Sequence, residues 1–235
     1  MAPVADYDLY AFYQLVDTED TPLLRSFFGC LAGALNFLHE AKIRHRDIKP
    51  QNILVKRPHV YLTDFGISLD WENLSRSTTT KDTAKSLIYC APEIARYEKR
   101  NSSSDIWSLG CVFVEILTLI KGRTVEEQRQ FFKQRKDSFW FFENISAIQE
   151  WIKQLKEMDS RQASDSFIAD CILQLVKENP DERMLAVELY NRISNYQDLE
   201  KGKGYPLCGE CCVSDTCSVS DSGSDGDPLA SITEP

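Results

Sequence analysis

His45-Arg46-Asp47-Ile48-Lys49-Pro50-Gln51-Asn52 is the stretch on which the reading of this chain turns. It sets a carboxylate, an ammonium and an amide within six residues of one another. Twelve residues after Asn52 comes Asp64-Phe65-Gly66, and beyond a polar segment comes Ala91-Pro92-Glu93. Upstream, Thr21-Pro22 opens a helix by cap and first-turn chemistry. Leu24, Phe27, Phe28, Leu31, Leu35 and Leu38 then recur at helical spacing to about Lys42. Downstream, 52–56 and 60–63 are short β-rich runs, and the turn Arg57-Pro58-His59 between them predicts a small hairpin.

Further out, residues 67–90 are rich in Ser and Thr and read as irregular. The run 104–120 is apolar nearly all round, as expected of a helix at the centre of a domain. Amphipathic helices are expected near 125–136, 145–157, 166–178 and 184–199, with Asn179-Pro180 separating the last two. The fold class is therefore mainly α, with one small hairpin beside the polar loop.

At 43% hydrophobic and 27% charged, the 235 residues can bury a sizeable core. The net charge is −9; the segment after residue 204 holds six acids and no base, so the body carries only −3. An acidic chain repels phosphate backbones, and nucleic acid is not an expected partner. Cys30, Cys90, Cys111 and Cys171 lie among apolar segments, where a thiol packs as a small hydrophobe. Asp6 and Asp8 interrupt any leader-like apolar run, and the stretch 106–120 contains Glu115 and is too short for a bilayer span. The expected setting is intracellular, in the cytoplasm or nucleus.

The three motifs, in this order, resemble the signatures of the eukaryotic serine/threonine protein kinase family. The resemblance covers about residues 3–196 and implies the helical large lobe of the kinase fold, with ATP and Mg²⁺ as cofactors and proteins as substrates. It gives Asp47 the role of orienting the attacking hydroxyl and accepting its proton. Lys49 would steady the transferred phosphate, and Asn52 and Asp64 would offer Mg²⁺ hard oxygen ligands. Lys49 also favours Ser or Thr over Tyr as acceptor. Ser86, five before Ala91, stands where the family contacts both Lys49 and Asp47, although Lys85 replaces a usual Gly. His45 is implied to be structural, packing near Phe65, while His39 and His59 read as helix-end and turn residues.

The segment Ser104-Asp105-Ile106-Trp107-Ser108-Leu109-Gly110 resembles the family's central helix, whose Asp clamps the catalytic-loop backbone. Asn179-Pro180-Asp181-Glu182-Arg183 resembles the late motif whose Arg pairs with Glu93, with Met184 in place of the usual Pro. Arg46 is implied to bind a phosphate on the activation segment, for which Thr78, Thr79, Thr80 and Thr83 are candidates; Asp82 could partly mimic that charge. Pro3-Val4-Ala5-Asp6-Tyr7-Asp8-Leu9 resembles the hinge between the lobes. Val4 would then meet adenine through its backbone, Asp8 the ribose, and Leu54 the floor of the adenine pocket.

On that alignment, 1–200 is a partial kinase domain holding the hinge and large lobe. No G-x-G-x-x-G loop is present; the lone Gly202-Lys203-Gly204 has no following helix. The expectation is a kinase that is weak or inactive as this chain, the alternative being a catalytically silent protein-binding module. Residues 201–235 are expected to be a disordered acidic tail, having too few apolar residues to offset the cost of ordering. Within it, Cys208, Cys211, Cys212 and Cys217 could ligate Zn²⁺ or be acylated, and Ser218, Ser220, Ser222 and Ser224 lie among aspartates as candidate phosphate acceptors.

Overall fold

A computed structural model describes residues 5–64, 69–70, 87–98, 101–158, 162–196 and 207–209. Strand β1 (Tyr7–Asp8) leads into a single-turn helix α1 (Leu9–Phe12) and then α2 (Thr21–Glu40). Strands β2 (Ile43–Arg44), β3 (Ile53–Lys56), β4 (His59–Leu62) and β5 (Leu69–Asp70) follow. The remainder is helical: α3 (Pro92–Ala95), α4 (Ser103–Ile120), α5 (Val125–Lys136), α6 (Ile145–Glu157), α7 (Ala163–Leu175) and α8 (Ala186–Ser194). The mainly helical class expected from the sequence is what the structure shows.

Helix α4 is the centre, packed by α2, α5, α6 and α7. It carries no polar face, because Ile106, Trp107, Leu109, Val112, Phe113, Val114, Ile116 and Leu117 are all buried. A Cβ added at Gly110 would lie 2.8 Å from Val176 and 2.9 Å from Leu175, so the bare backbone there lets the end of α7 reach α4. By length and composition alone α2 and α4 could cross a membrane. Their apolar windows are instead 56% and 78% buried within the fold, as core helices are.

The hairpin pairs Ile53 with Leu62 and Lys56 with His59, so its turn is two residues, Arg57 and Pro58, and His59 belongs to the strand. β1 adds to the other edge of β3, giving the order β1-β3-β4. β2 pairs with β5, a two-residue strand inside the segment read as irregular; two residues are too few to show a period. The α2 entrance also differs from expectation. Thr21 is its first helical residue, and the capping lies in the preceding turn. There Asp17 accepts from the amides of Glu19 (2.7 Å) and Asp20 (3.3 Å), and Asp20 accepts from that of Asp17. Asp20 is bridged at 2.8 Å to Arg57, which ties the hairpin turn to the start of α2.

Helix α7 ends three residues earlier than expected, because Asn179 leaves the helix to cap the turn at Pro180–Glu182. That exit delivers Arg183 to the interior. All five of its N–H donors are used: on both oxygens of Glu93 at 2.8 Å, and on the carbonyls of Lys177, Glu178 and Ser103. The guanidinium also lies over the Trp107 ring. Within 201–235, expected from composition to be disordered, the described residues Leu207 and Cys208 are instead buried against α2, because an apolar side chain and a backbone bond find a matching notch there.

Glu115, noted in the sequence only as a break in an apolar run, is fully buried in α4. The Tyr89 hydroxyl donates to it at 3.0 Å, and Arg129 lies 3.4 Å away. Burial raises its carboxyl to about 7, against the pull of Arg129 and Tyr89.

Two outcomes follow for stability. Arg183→Ala leaves Glu93 buried without a counter-charge and should cost about 3–5 kcal/mol in denaturant unfolding. Glu115 holds a proton in the folded chain that it loses in the unfolded chain between pH 4.5 and about 7. Its contribution to stability is thus fully present below pH 4.5 and falls as pH rises to 7. Tyr13, Tyr89 and Cys111 around it are pushed upward and Arg129 stays charged, so none of them titrates in that window. The stability of wild type relative to Glu115→Gln should drop by roughly 3 kcal/mol across it, measured by thermal unfolding at several pH values.

Candidate active site

The polar loop between β2 and β3 is fixed from below by one carboxylate. Asp105, in the first turn of α4, accepts from the His45 amide at 2.9 Å and from the Arg46 amide at 2.8 Å. Its Oδ2 also lies 3.2 Å from Nε2 of His39, near the end of α2. Arg46 adopts φ of +73°, a left-handed backbone that costs a non-glycine residue about 1–3 kcal/mol and persists only where neighbours enforce it. The two amide bonds to Asp105 are that enforcement. His39, read from sequence as a helix-end residue, is therefore the third group on the clamp. The signal available was its place six residues before His45, one helix exit away.

His45 is fully buried and spans the loop. Its Nε2 meets the Thr63 carbonyl at 2.8 Å and its Nδ1 faces the Asp47 amide at 3.4 Å. A carbonyl can only accept and an amide can only donate, so Nε2 carries the hydrogen and Nδ1 is the acceptor. Both nitrogens are used on backbone. Ile48, buried between Asp47 and Lys49, pins the middle of the loop into the core.

Asp47, Lys49 and Asn52 converge. The Asn52 amide nitrogen donates to the Asp47 carbonyl at 2.8 Å and to Asp47 Oδ2 at 2.9 Å, and Lys49 Nζ bonds the same Oδ2. The Asn52 backbone carbonyl accepts from both the amide (2.9 Å) and the hydroxyl (3.1 Å) of Thr63. This continues the β3–β4 pairing and places Asp64 one residue beyond Asn52's partner. Asp64 is exposed and also left-handed, with φ of +66°.

The donor set suits Mg²⁺. The Asn52 side-chain nitrogen is committed to Asp47, which turns its carbonyl oxygen the other way, and the Asp64 carboxylate follows Thr63. Two hard oxygen donors of this kind, completed by phosphate and water, are how this ion is held at nucleotide sites. Among the described residues no cluster of three or more His, Cys, Asp or Glu offers an alternative metal site.

The nucleotide-side candidates are partly brought together. β1 pairs with β3 so that Asp8 stands opposite Leu54, which is half-buried. One oxygen of Asp8 accepts from the Ala11 amide at 2.7 Å and so caps α1. Val4, Phe65, Thr78, Thr79, Thr80, Thr83 and Ser86 lie outside the described residues. Glu93 and Arg183 meet in the bidentate pair described above.

Comparison with known proteins matches residues 8–193 to the protein kinase domain family. Serine/threonine-protein kinase ULK3 of Xenopus laevis is 30% identical over 183 residues, covering 76% of this chain and 34% of that protein. A cyclin-dependent kinase 4 homolog of Caenorhabditis elegans is 36% identical over 185 residues, 71% of this chain and 44% of its own length. Cyclin-dependent kinase 2 of the same nematode is 30% identical over 203 residues, 77% and 54% respectively. The chain thus spans between a third and just over half of these relatives. With a match over most of its length, and with the loop, clamp and buried ion pair in place, the chain belongs to the eukaryotic serine/threonine protein kinase family.

Proposed function

We propose that these residues form the phosphate-transfer half of an ATP- and Mg²⁺-dependent kinase that acts on Ser or Thr of proteins. The observation that carries this reading is the convergence of Lys49 and Asn52 on a single oxygen of Asp47. With Oδ2 so occupied, Oδ1 is the oxygen left to face a substrate hydroxyl, orient it and accept its proton. Lys49, anchored beside that carboxylate, is placed to neutralise charge on a transferred phosphate. Mg²⁺, held by Asn52 and Asp64, would supply the charge neutralisation that phosphoryl transfer requires. Asp8 and Leu54, opposite each other across two strands, would contact ribose and adenine from one side.

The 235 residues contain no Gly-rich loop of the kind that covers the ATP phosphates in protein kinases. As this polypeptide alone, transfer should be weak, since one lost electrostatic group typically costs about 10²–10³ in rate. We place the protein in the cytoplasm or nucleus, as a kinase of proteins. Arg46, held beside Asp47, would pair with a phosphate on Thr78, Thr79, Thr80 or Thr83 and so order the activation segment.

The test is transfer of labelled phosphate from Mg²⁺-ATP to a generic protein substrate, by the chain alone and with a separately produced kinase small lobe. Low activity that rises on adding the small lobe, and falls by about 10²-fold or more in Asp47→Asn, is expected. Activity untouched by that substitution would remove Asp47 from its role. Nucleotide binding with no transfer under either condition would favour the silent binding module. For the activation segment, mass spectrometry of protein from native cells should find phosphate on one of the four threonines, and its absence under every condition would count against that assignment.

A further inference from the structure

The segment Leu207–Gly209 lies far along the chain from α2 and packs on the middle of it. Gly29, inside α2, donates its amide to the Leu207 carbonyl at 2.7 Å, and the Gly209 amide donates to the Cys30 sulfur at 3.3 Å. Leu207 is 5% exposed and Cys208 9%. The fit depends on a missing atom. A Cβ at Gly29 would lie 2.1 Å from the Cys208 sulfur and 2.5 Å from the Leu207 carbonyl oxygen, so the segment fills space that any other residue would occupy. One backbone bond, one amide-to-sulfur bond and two buried side chains are a small gain, comparable with the cost of ordering the residues that make it. Such a contact sits near balance, and two of its contact atoms are thiol sulfurs.

We propose that Leu207–Gly209 is a thiol-gated strap on α2, seated while Cys208 carries an unmodified thiol and released when a thiol-directed electrophile adds to it. In the simplest such reaction, with a maleimide, the sulfur adds across the C=C bond, the thiol proton ends on the neighbouring carbon, and nothing leaves. The new group has no room beside Gly29, so the strap cannot reseat. Its release uncovers Cys30 and removes a brace from the helix whose far end carries His39 and the clamp on the catalytic loop. The thiol chemistry of residue 208 is thereby linked to the loop that holds Asp47, independently of what that loop transfers.

The experiment is maleimide labelling of the whole 235-residue chain, native and unfolded in guanidinium chloride, with each cysteine followed by mass spectrometry. Cys111 and Cys171, buried in the helical core, report whether the lobe stays folded. Native Cys208 and Cys30 should react at least about tenfold more slowly than in the unfolded chain. Cys30 should become labelled only on molecules already labelled at Cys208. Gly29→Ala and Leu207→Asp should each abolish the protection of both while Cys111 and Cys171 remain protected. If Gly29→Ala exposes the core cysteines, the lobe has unfolded and Leu207→Asp, outside the helix, decides. Native Cys208 reacting at the unfolded rate, Cys30 labelled independently of Cys208, or Leu207→Asp leaving both protected would each overturn the proposal.

Discussion

The structure depends on one buried carboxylate. Asp105 receives two consecutive backbone amides and faces a histidine, and so links the central helix directly to the polar loop. The physics is asymmetric. Left unmet, the two amides would each carry the cost of a buried, unpaired donor. Met by a carboxylate, they make charge-assisted bonds stronger than ordinary peptide pairs. The left-handed turn at Arg46, and with it the direction in which Asp47 leaves the backbone, follows from that pairing.

Around this clamp, several of the polar residues are anchored on backbone groups. His45 bridges Thr63 and Asp47 through its two nitrogens, Asn52 grips the Asp47 carbonyl, and Arg183 places three of its five bonds on carbonyls. Backbone partners do not change rotamer, so the loop that carries Asp47 is set by the fold, while the Asp47 carboxylate itself is met by the side chains of Lys49 and Asn52. The phosphate-transfer role proposed above would rest on positioning and electrostatics, which need this kind of support.

Much of this was legible in the sequence, for identifiable reasons. Helices α2, α4, α5 and α6 carry long, regular apolar patterns, and their limits were readable to within a residue or two, apart from the cap of α2. The loop residues were readable because three short motifs occur in order. What escaped the sequence shares a different property: it depends on pairs distant along the chain. β1, β2 and β5 are two residues each, too short for any period, and exist only because a partner strand is present. His39 looks like an ordinary helix end until α4 is placed beside it. Glu115 looks like a blemish until Tyr89 and Arg129 close around it, and Arg25 bonds Asp165 across 140 residues with nothing local to announce it. Leu207 and Cys208 sit in a polar tail whose composition argues against order, and only the bare backbone at Gly29 explains their seat.

Helix α2 is pinned at one end to the hairpin turn and at the other to the α4 carboxylate that clamps the loop. Asp20, just before its first residue, holds Arg57 in the hairpin turn, and His39, in its last turn, meets the carboxylate that clamps the loop. Twenty residues at 1.5 Å apiece make the helix a gauge of about 30 Å between those two fixings. Inserting one residue would turn its far end by about 100°, carrying His39 off Asp105 while Arg57 still held the near end. Length variation among chains of this architecture should therefore spare this helix.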